Sequence, residues 1–277
     1  MQRVNYDHIA HVYDEPLRAP SVDPYLIAFL DEHSEGRNGN VRILDLGCGT
    51  GKQLMANHAA FPQIPTVGLD LFRGMLRIAR ARCPDVRWVH GDASRIPFCS
   101  QTFDYATNQF SYHHIQDQPA FVGEVFRVLK PGGRFVMVNI DPWSMPQWVI
   151  YRYFPRARDL DHQDFLMPGA FTDLMQATGF ADVQVSHQRQ RTCESLMDFL
   201  AYARQRHRIS QLLAVSDADY EAGIHRLERQ IKQDGDAATV ESESCLVTIR
   251  GDKPRAEHSV LLPSDGASLI PPGRRGR

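Results

Sequence analysis

The sequence predicts an α/β fold: a seven-stranded, mostly parallel sheet with helices on both faces and a helical cap. Three observations predict it. Apolar strand-like runs alternate with helical apolar stripes over residues 41–140. A glycine-rich turn, Gly47-Cys48-Gly49-Thr50-Gly51, follows the first of those strands directly. Aspartates, Asp70 and Asp92, stand at the ends of the next two.

The elements follow in order. Val22, Tyr25, Leu26, Phe29 and Leu30 fall at helical spacing over residues 22–33, and Gly36-Arg37-Asn38-Gly39-Asn40 ends that helix. Val41–Leu46 is a strand, and the helix after the turn carries Leu54 and Met55 inward. Thr66–Leu69 is a second strand, followed by a helix with Met75, Leu76 and Ala79. Val86–Val89 and Phe103–Thr107 are the third and fourth strands. Phe121, Val122, Val125, Phe126 and Leu129 mark a helix that Lys130-Pro131-Gly132-Gly133 stops, and Arg134–Ile140 is the fifth strand.

Beyond residue 140 the pattern changes. Residues 141–167, rich in Pro, Arg and aromatics, are read as an insertion that roofs a substrate pocket. A short helix over 169–179 precedes a strand at Val183–Val185. Residues 194–240 are read as a helical insertion of two helices, the second capped by Ser216 with Tyr220, Ile224, Leu227 and Ile231 on its buried face. Cys245–Ile249 is the last strand. One domain spans 1–252, and 253–277 is a polar tail expected to be disordered.

Composition narrows the function classes. A net charge of −2 gives no basic excess for nucleic acid. Five scattered cysteines form no CxxC pair, so neither a disulfide framework nor a zinc site is expected, and a reducing compartment, the cytoplasm, fits. No apolar run approaches the ~20 residues of a membrane-spanning helix, and the N-terminus lacks the apolar stretch of a signal peptide. No metal-ligand cluster is expected.

The glycine turn carries the chemistry. Glycine permits tight turning and close backbone approach to a ligand, and the helix behind it offers free N–H groups. The spacing is GxGxG, not the GxGxxG of dinucleotide enzymes. Asp70 is placed to accept ribose hydroxyls, and Asp92 to accept an adenine amino group.

Leu44–Gly51, Gly68-Leu69-Asp70-Leu71, Gly91-Asp92-Ala93, Phe103–Thr107 and Val125–Gly133 together resemble the class I S-adenosylmethionine-dependent methyltransferases. The likeness is strongest to their small-molecule, type 11 branch, over residues 4–140. It implies a Rossmann-like fold and S-adenosylmethionine as cofactor, held by Asp45, Gly47, Cys48, Gly49, Gly51, Asp70, Leu71, Met75, Asp92, Ala93 and Asn108. Tyr6 and Tyr13 either close over that cofactor or staple the N-terminus to the core. His113 and His114, after the fourth strand, are the candidate general bases for a hydroxyl acceptor. The alternative is a structural pair.

Trp143, Trp148, Tyr151, Tyr153 and Phe154, with Met145 among them, favour an apolar or aromatic acceptor, and Arg152, Arg156 and Arg158 are available for an anionic substituent; the alternatives are a helix with a buried aromatic stripe and a solvated basic face, and a surface segment that rests on membrane lipid. Three rival readings share the layout: a nicotinamide dehydrogenase, a nucleic-acid or protein methyltransferase, and a catalytically silent binding protein. Asn108-Gln109-Phe110-Ser111 lacks the Asn/Asp-Pro-Pro-Tyr loop of enzymes that methylate exocyclic amino groups.

Overall fold

The computed structural model describes residues 4–13, 21–33 and 41–255. Its strands form one sheet in the order β3-β2-β1-β4-β5-β7-β6. β1 (Ile43–Leu46), β2 (Thr66–Asp70), β3 (Arg87–His90), β4 (Phe103–Gln109) and β5 (Leu129–Ile140) run parallel. β7 (Thr239–Asp252) lies antiparallel between β5 and β6 (Ala181–Ser195). Every residue of β1 and β2 is buried, as in a sheet covered on both faces. The strand order reverses between β1 and β4, which opens a crevice at the strands' carboxyl ends.

Side chains alternate across the sheet and so divide the core. A short N-terminal helix, α1 (Ala10–Tyr13), precedes α2 (Pro24–Glu32), α3 (Lys52–Ala60) and α4 (Arg73–Arg82). Leu26 and Phe29 of α2, Leu54 of α3 and Leu76 of α4 pack on Ile43, Tyr105 and Val136. On the other face, Phe121 and Val125 of α5 (Gln118–Val128) pack on Leu44, Phe135 and Met137. Each such fully buried Leu or Phe contributes roughly 1.5–3 kcal/mol. α5 begins at Asp117, whose carboxylate accepts from Ala120 N.

The remaining helices split between a sheet face and a cap. Phe171 and Met175 of α8 (Pro168–Thr178) join the core beside α5, and Gly179 at φ +111° ends that helix. The segment after β5 forms α6 (Val149–Tyr153) and α7 (Pro155–Asp164). Between β6 and β7 lie α9 (Leu196–Ala203), a 3-10 turn at Arg206–Arg208, α10 (Ser210–Ala214) and α11 (Asp217–Asp234). Where two helices were expected, the 3-10 turn and α10 separate α9 from α11. Tyr151 and Phe154 of α6–α7, Phe199 of α9 and Leu227 of α11 share one cap core. α11 crosses Phe154 at Gly223, where an added Cβ would lie 2.2 Å from the ring.

Two strands exceed expectation. β6 runs for 15 residues and β7 for 14, paired residue for residue from Ser195 with Thr239 to Gln184 with Arg250. Outer β6 is an exposed edge reading Ser186-His187-Gln188-Arg189-Gln190-Arg191-Thr192, so it carries no apolar alternation to announce it. β7 joins both cores: Val247 and Ile249 pack in the sheet, Val240 and Cys245 in the cap. The expected tail starts on an anchored residue, because Lys253 Nζ donates to Phe126 O and Leu129 O at 2.7 and 2.8 Å. Residues 256–277 lie outside the described part.

Candidate active site

The turn after β1 is fixed by its own backbone. Gly47 N and Cys48 N donate to Leu69 O at 2.8 and 3.1 Å, which ties the turn to the end of β2. Asp70 completes the tie: its Oδ2 accepts from Gly49 N and its Oδ1 from Phe72 N, both at 2.8 Å. Burial pushes the Asp70 carboxyl up, and these two N–H donors oppose that shift. Gly47 sits at φ +70°, and a Cβ there would lie 2.1 Å from Ser111 Oγ. A side chain is therefore excluded both by backbone conformation and by space.

Around this turn opens a cleft of about 1100 Å³. Tyr6, Tyr13, Gly47, Cys48, Gly49, Asp70, Leu71, Met75, Asp92, Ala93 and His114 of the expected site line it. Asp92 stands in a turn in which its Oδ1 accepts from both Ser94 N and Ser94 Oγ at 2.8 Å. Gly49 faces open space where its side chain would be. Of the two readings of the N-terminal tyrosines, the geometry has features of both: Tyr6 and Tyr13 meet edge to face at 5.6 Å, and Asp7 Oδ1 accepts from Gly74 N on α4 at 2.5 Å.

Three further residues of the expected site do not line the cleft itself. Asp45 is paired in register with Gly68 and Thr107, inside the sheet and beneath the turn. Burial, and then the charges of Asp23 and Asp70, raise its carboxyl to about 7. Asn108 turns inward as well: its Nδ2 donates to Leu46 O at 2.8 Å and Ser111 Oγ at 2.6 Å, so it braces the wall from behind. Gly51 caps α3 at φ +80° and faces the Trp88 ring, not the cleft. Conversely, Tyr202 and Arg208, from the insertion, line the cleft. Nothing in their local sequence marks them, since only tertiary packing brings them there.

The two histidines separate in role. They lie on a 3-10 turn, Tyr112–His114, just past β4. Asn139 Oδ1 accepts from Ile140 N at 2.9 Å, which orients the amide so that its Nδ2 faces His113 Nδ1 at 3.2 Å. An NH₂ group only donates, so His113 Nδ1 holds a lone pair and the neutral ring carries its proton on Nε2. That Nε2 is buried without a partner. The ring stacks on Phe165 at 4.3 Å with a 10° interplanar angle. Burial, and then His114, push its pKa well below 6.5. His114 Nε2 meets Tyr6 Oη at 2.8 Å. Burial lowers this imidazole to about 4, against an opposing pull from Asp164. Both rings are thus neutral near pH 7, His113 as an N–H donor and His114 with one nitrogen able to take a proton.

Behind His114 lies a second cavity, of about 310 Å³, which shares His114, Ile115 and Gln116 with the cleft. Its remaining walls come from the end of α7 (Asp161, Gln163, Asp164), Phe165, Leu166, α10, His113, Gln118 at the start of α5, and Val4. Of the readings of segment 141–167, its packing follows the buried stripe and not the roof, since none of residues 143–154 lines either cavity. Met145, Tyr151, Tyr153 and Phe154 are consumed by the cap core, and Trp148 packs against that core. Arg152, Arg156 and Arg158 line neither cavity; Arg156 pairs instead with Asp159 at 3.3 Å. Among the described residues, no group of His, Cys, Asp and Glu is arranged to hold a metal ion, and no helix is long and apolar enough to cross a membrane.

Comparison with known proteins bears on this geometry. Residues 43–133 match the family model described as "Methyltransferase domain". The 2-phytyl-1,4-naphtoquinone methyltransferase of Thermosynechococcus vestitus is 34% identical over 164 residues, covering 51% of this chain and 72% of that protein. The demethylmenaquinone methyltransferase of Thermus thermophilus is 38% identical over 121 residues, covering 42% of this chain and 55% of its own length, so the chain spans little more than half of that relative. The crystal structure of a methyltransferase from an antibiotic biosynthesis pathway of Anabaena variabilis shares the fold, with a TM-score of 0.61 and 17% identity over 83% of this chain and 98% of that one.

Proposed function

This chain belongs to the class I S-adenosylmethionine-dependent methyltransferases, and from that premise we propose that it methylates an oxygen or ring carbon of a small hydroxylated ring compound, with His114 as the base. The observation that carries the proposal is the pair of cavities that meet at His114. The quinone acceptors named for the relatives support the ring chemistry.

The cleft fits the cofactor: Gly49 leaves room beside the turn, and Asp70 and Asp92 hold carboxylates on its wall. S-adenosylmethionine supplies, when bound, a methyl group on a sulfonium that departs with the bonding pair. The protein's task is then alignment of an in-line displacement. Asp70 and the Gly47–Gly49 backbone would hold the ribose and methionine end, and Asp92 with the Ala93 backbone would hold the adenine. In the proposed tautomer His114 donates from Nε2–H to Tyr6 Oη, so Nδ1 takes the proton of the acceptor hydroxyl. That deprotonation activates the oxygen itself or the ring carbon beside it. His113 Nε2–H holds an acceptor oxygen, a positioning part.

Calorimetry with S-adenosylmethionine and S-adenosylhomocysteine tests the first half: absence of binding ends the reading. Turnover of a quinol panel tests the second. His114→Ala is expected to lower kcat by ~100-fold or more with donor binding intact, and His113→Ala to act mainly on KM. Wild-type kcat in His114→Ala removes the base assignment.

A further inference from the structure

A neutral imidazole serves as a base only if its bare nitrogen faces the acceptor. His114 has two ways to meet Tyr6 Oη across their 2.8 Å contact: Nε2–H donates to the hydroxyl, or the hydroxyl donates to a bare Nε2. Only the first leaves Nδ1 bare for the acceptor proton. Burial keeps the Tyr6 phenol protonated, so its oxygen brings one proton and one choice of direction. A phenol is a better donor than acceptor, so the isolated pair would favour the second arrangement. The protein must therefore bias the pair towards the first.

That bias comes from α10, whose Ser210 and Gln211 line the same cavity as His114. Ser210 Oγ donates to Gln211 Oε1 at 3.1 Å, which spends its only proton. Gln211 is buried and its amide N–H donates to Asp161, so Oε1 is the end left for Ser210. Ser210 Oγ also hydrogen-bonds with Tyr6 Oη, to which it has only lone pairs to offer. The Tyr6 proton therefore goes to Ser210, and a Tyr6 lone pair faces His114 Nε2–H. Every link then has a donor and an acceptor: His114 to Tyr6, Tyr6 to Ser210, Ser210 to Gln211, Gln211 to Asp161. Turning His114 to its other tautomer leaves one of these buried contacts as lone pair against lone pair. One hydrogen bond fewer shifts the tautomer ratio by ~fivefold or more. Leu213 and Ala214 of α10 pack on the cluster of Val4 and Tyr6, which keeps the two segments in contact.

We propose, resting on the methyl-transfer reading above, that Ser210 and Gln211 are positioning residues for the base: acting through Tyr6, they hold neutral His114 as the Nε2–H tautomer and leave its Nδ1 lone pair for the acceptor. No proton travels along the chain. It sets only which nitrogen is bare.

The test reads the tautomer directly, on the full chain carrying isotopically labelled histidine, by long-range proton–nitrogen correlation spectra near pH 7. The spectrum of His114→Gln identifies the His114 signals. Wild type is expected to show Nε2–H and a bare Nδ1. Ser210→Ala is expected to make Nδ1–H the major form and to lower kcat by ~fivefold or more. S-adenosylhomocysteine affinity, by calorimetry, should stay within about twofold. Ser210→Thr keeps the hydroxyl and should restore both tautomer and kcat. A merely structural role for Ser210 would not move the tautomer. Nδ1–H in the wild type, or an unchanged Nε2–H in Ser210→Ala, overturns the proposal. Should Ser210→Ala fail to fold, Gln211→Leu takes its place with the same two outcomes, because it frees the Ser210 proton to turn to Tyr6. The spectra need neither donor nor acceptor. Absence of S-adenosylhomocysteine binding by the wild-type chain would instead sink the transferase reading beneath the proposal.

Discussion

The two cavities are built by different means. Most of the larger cleft comes from loops directly after β1, β2, β3 and β4, where each functional group lies within a few residues of a strand end. Its central contacts are backbone N–H groups held by one carboxylate, Asp70. The smaller cavity draws on the end of α7, on α10 and on the turn after β4, segments separated by up to about a hundred residues. Asp161, Gln163, Asp164 and Gln211 among its polar groups are side chains on α7 and α10, whose other faces fill the cap core. Local backbone geometry dictates the first site, and tertiary packing dictates the second. Substitutions should therefore separate them: loop changes should abolish donor binding, and cap changes should weaken the fold or the acceptor site while sparing the donor.

The largest effect is expected in the loop. Gly47→Val forces a β-branched residue to φ +70° and drives its Cβ onto Ser111. Left-handed strain and overpacking together amount to about 4 kcal/mol. S-adenosylhomocysteine binding, followed by calorimetry, should weaken by several hundredfold. Near-normal affinity in this variant would break the contrast at its stronger end.

The next effect belongs to the seam between the cavities. The folded-state pKa of His114, about 4, lies below its ordinary value of 6.5. As pH falls the unfolded chain takes up this proton first, so the stability present above pH 6.5 is lost on the way down to about 4. Wild type should therefore lose up to about 3 kcal/mol more than His114→Gln over that window, by urea midpoints at each pH. Parallel pH profiles for the two proteins would show that His114 is hydrated in both states.

The smallest of the three lies in the cap. Gly223→Ala places a methyl group 2.2 Å from the Phe154 ring and should cost about 2 kcal/mol as the helices part. Its denaturant midpoint should fall while donor affinity stays within about twofold, because α11 lines neither cavity. A matching loss of donor binding would show that the cap and the cleft are coupled more tightly than their construction suggests.

The same contrast governs what the sequence discloses. Gly47, Asp70 and Asp92 are legible because a turn and a strand end impose a local requirement that few residue types meet. Asp45 and Asn108 show how little a strand end says about direction: adjacent residues of a strand point to opposite sides, and both of these are buried and absent from the cleft wall. Asp161 is invisible in Arg156-Ala157-Arg158-Asp159-Leu160-Asp161, which has the look of a solvated helix face; only packing separates exposed Asp159 from buried Asp161. The aromatic run before it was legible as buried, but not as facing the cap interior. Edge strand β6 was largely hidden because a solvated strand has no apolar period to display.

β7 places one limit on how independent the halves can be. Its hydrogen bonds tie β5 to β6, and its side chains serve the sheet at Val247 and Ile249 and the cap at Val240 and Cys245. Peeling the cap away would strip a strand from beside the central sheet, so neither half retains a complete fold without the other. Loop and cap are therefore expected to melt together as one cooperative unit.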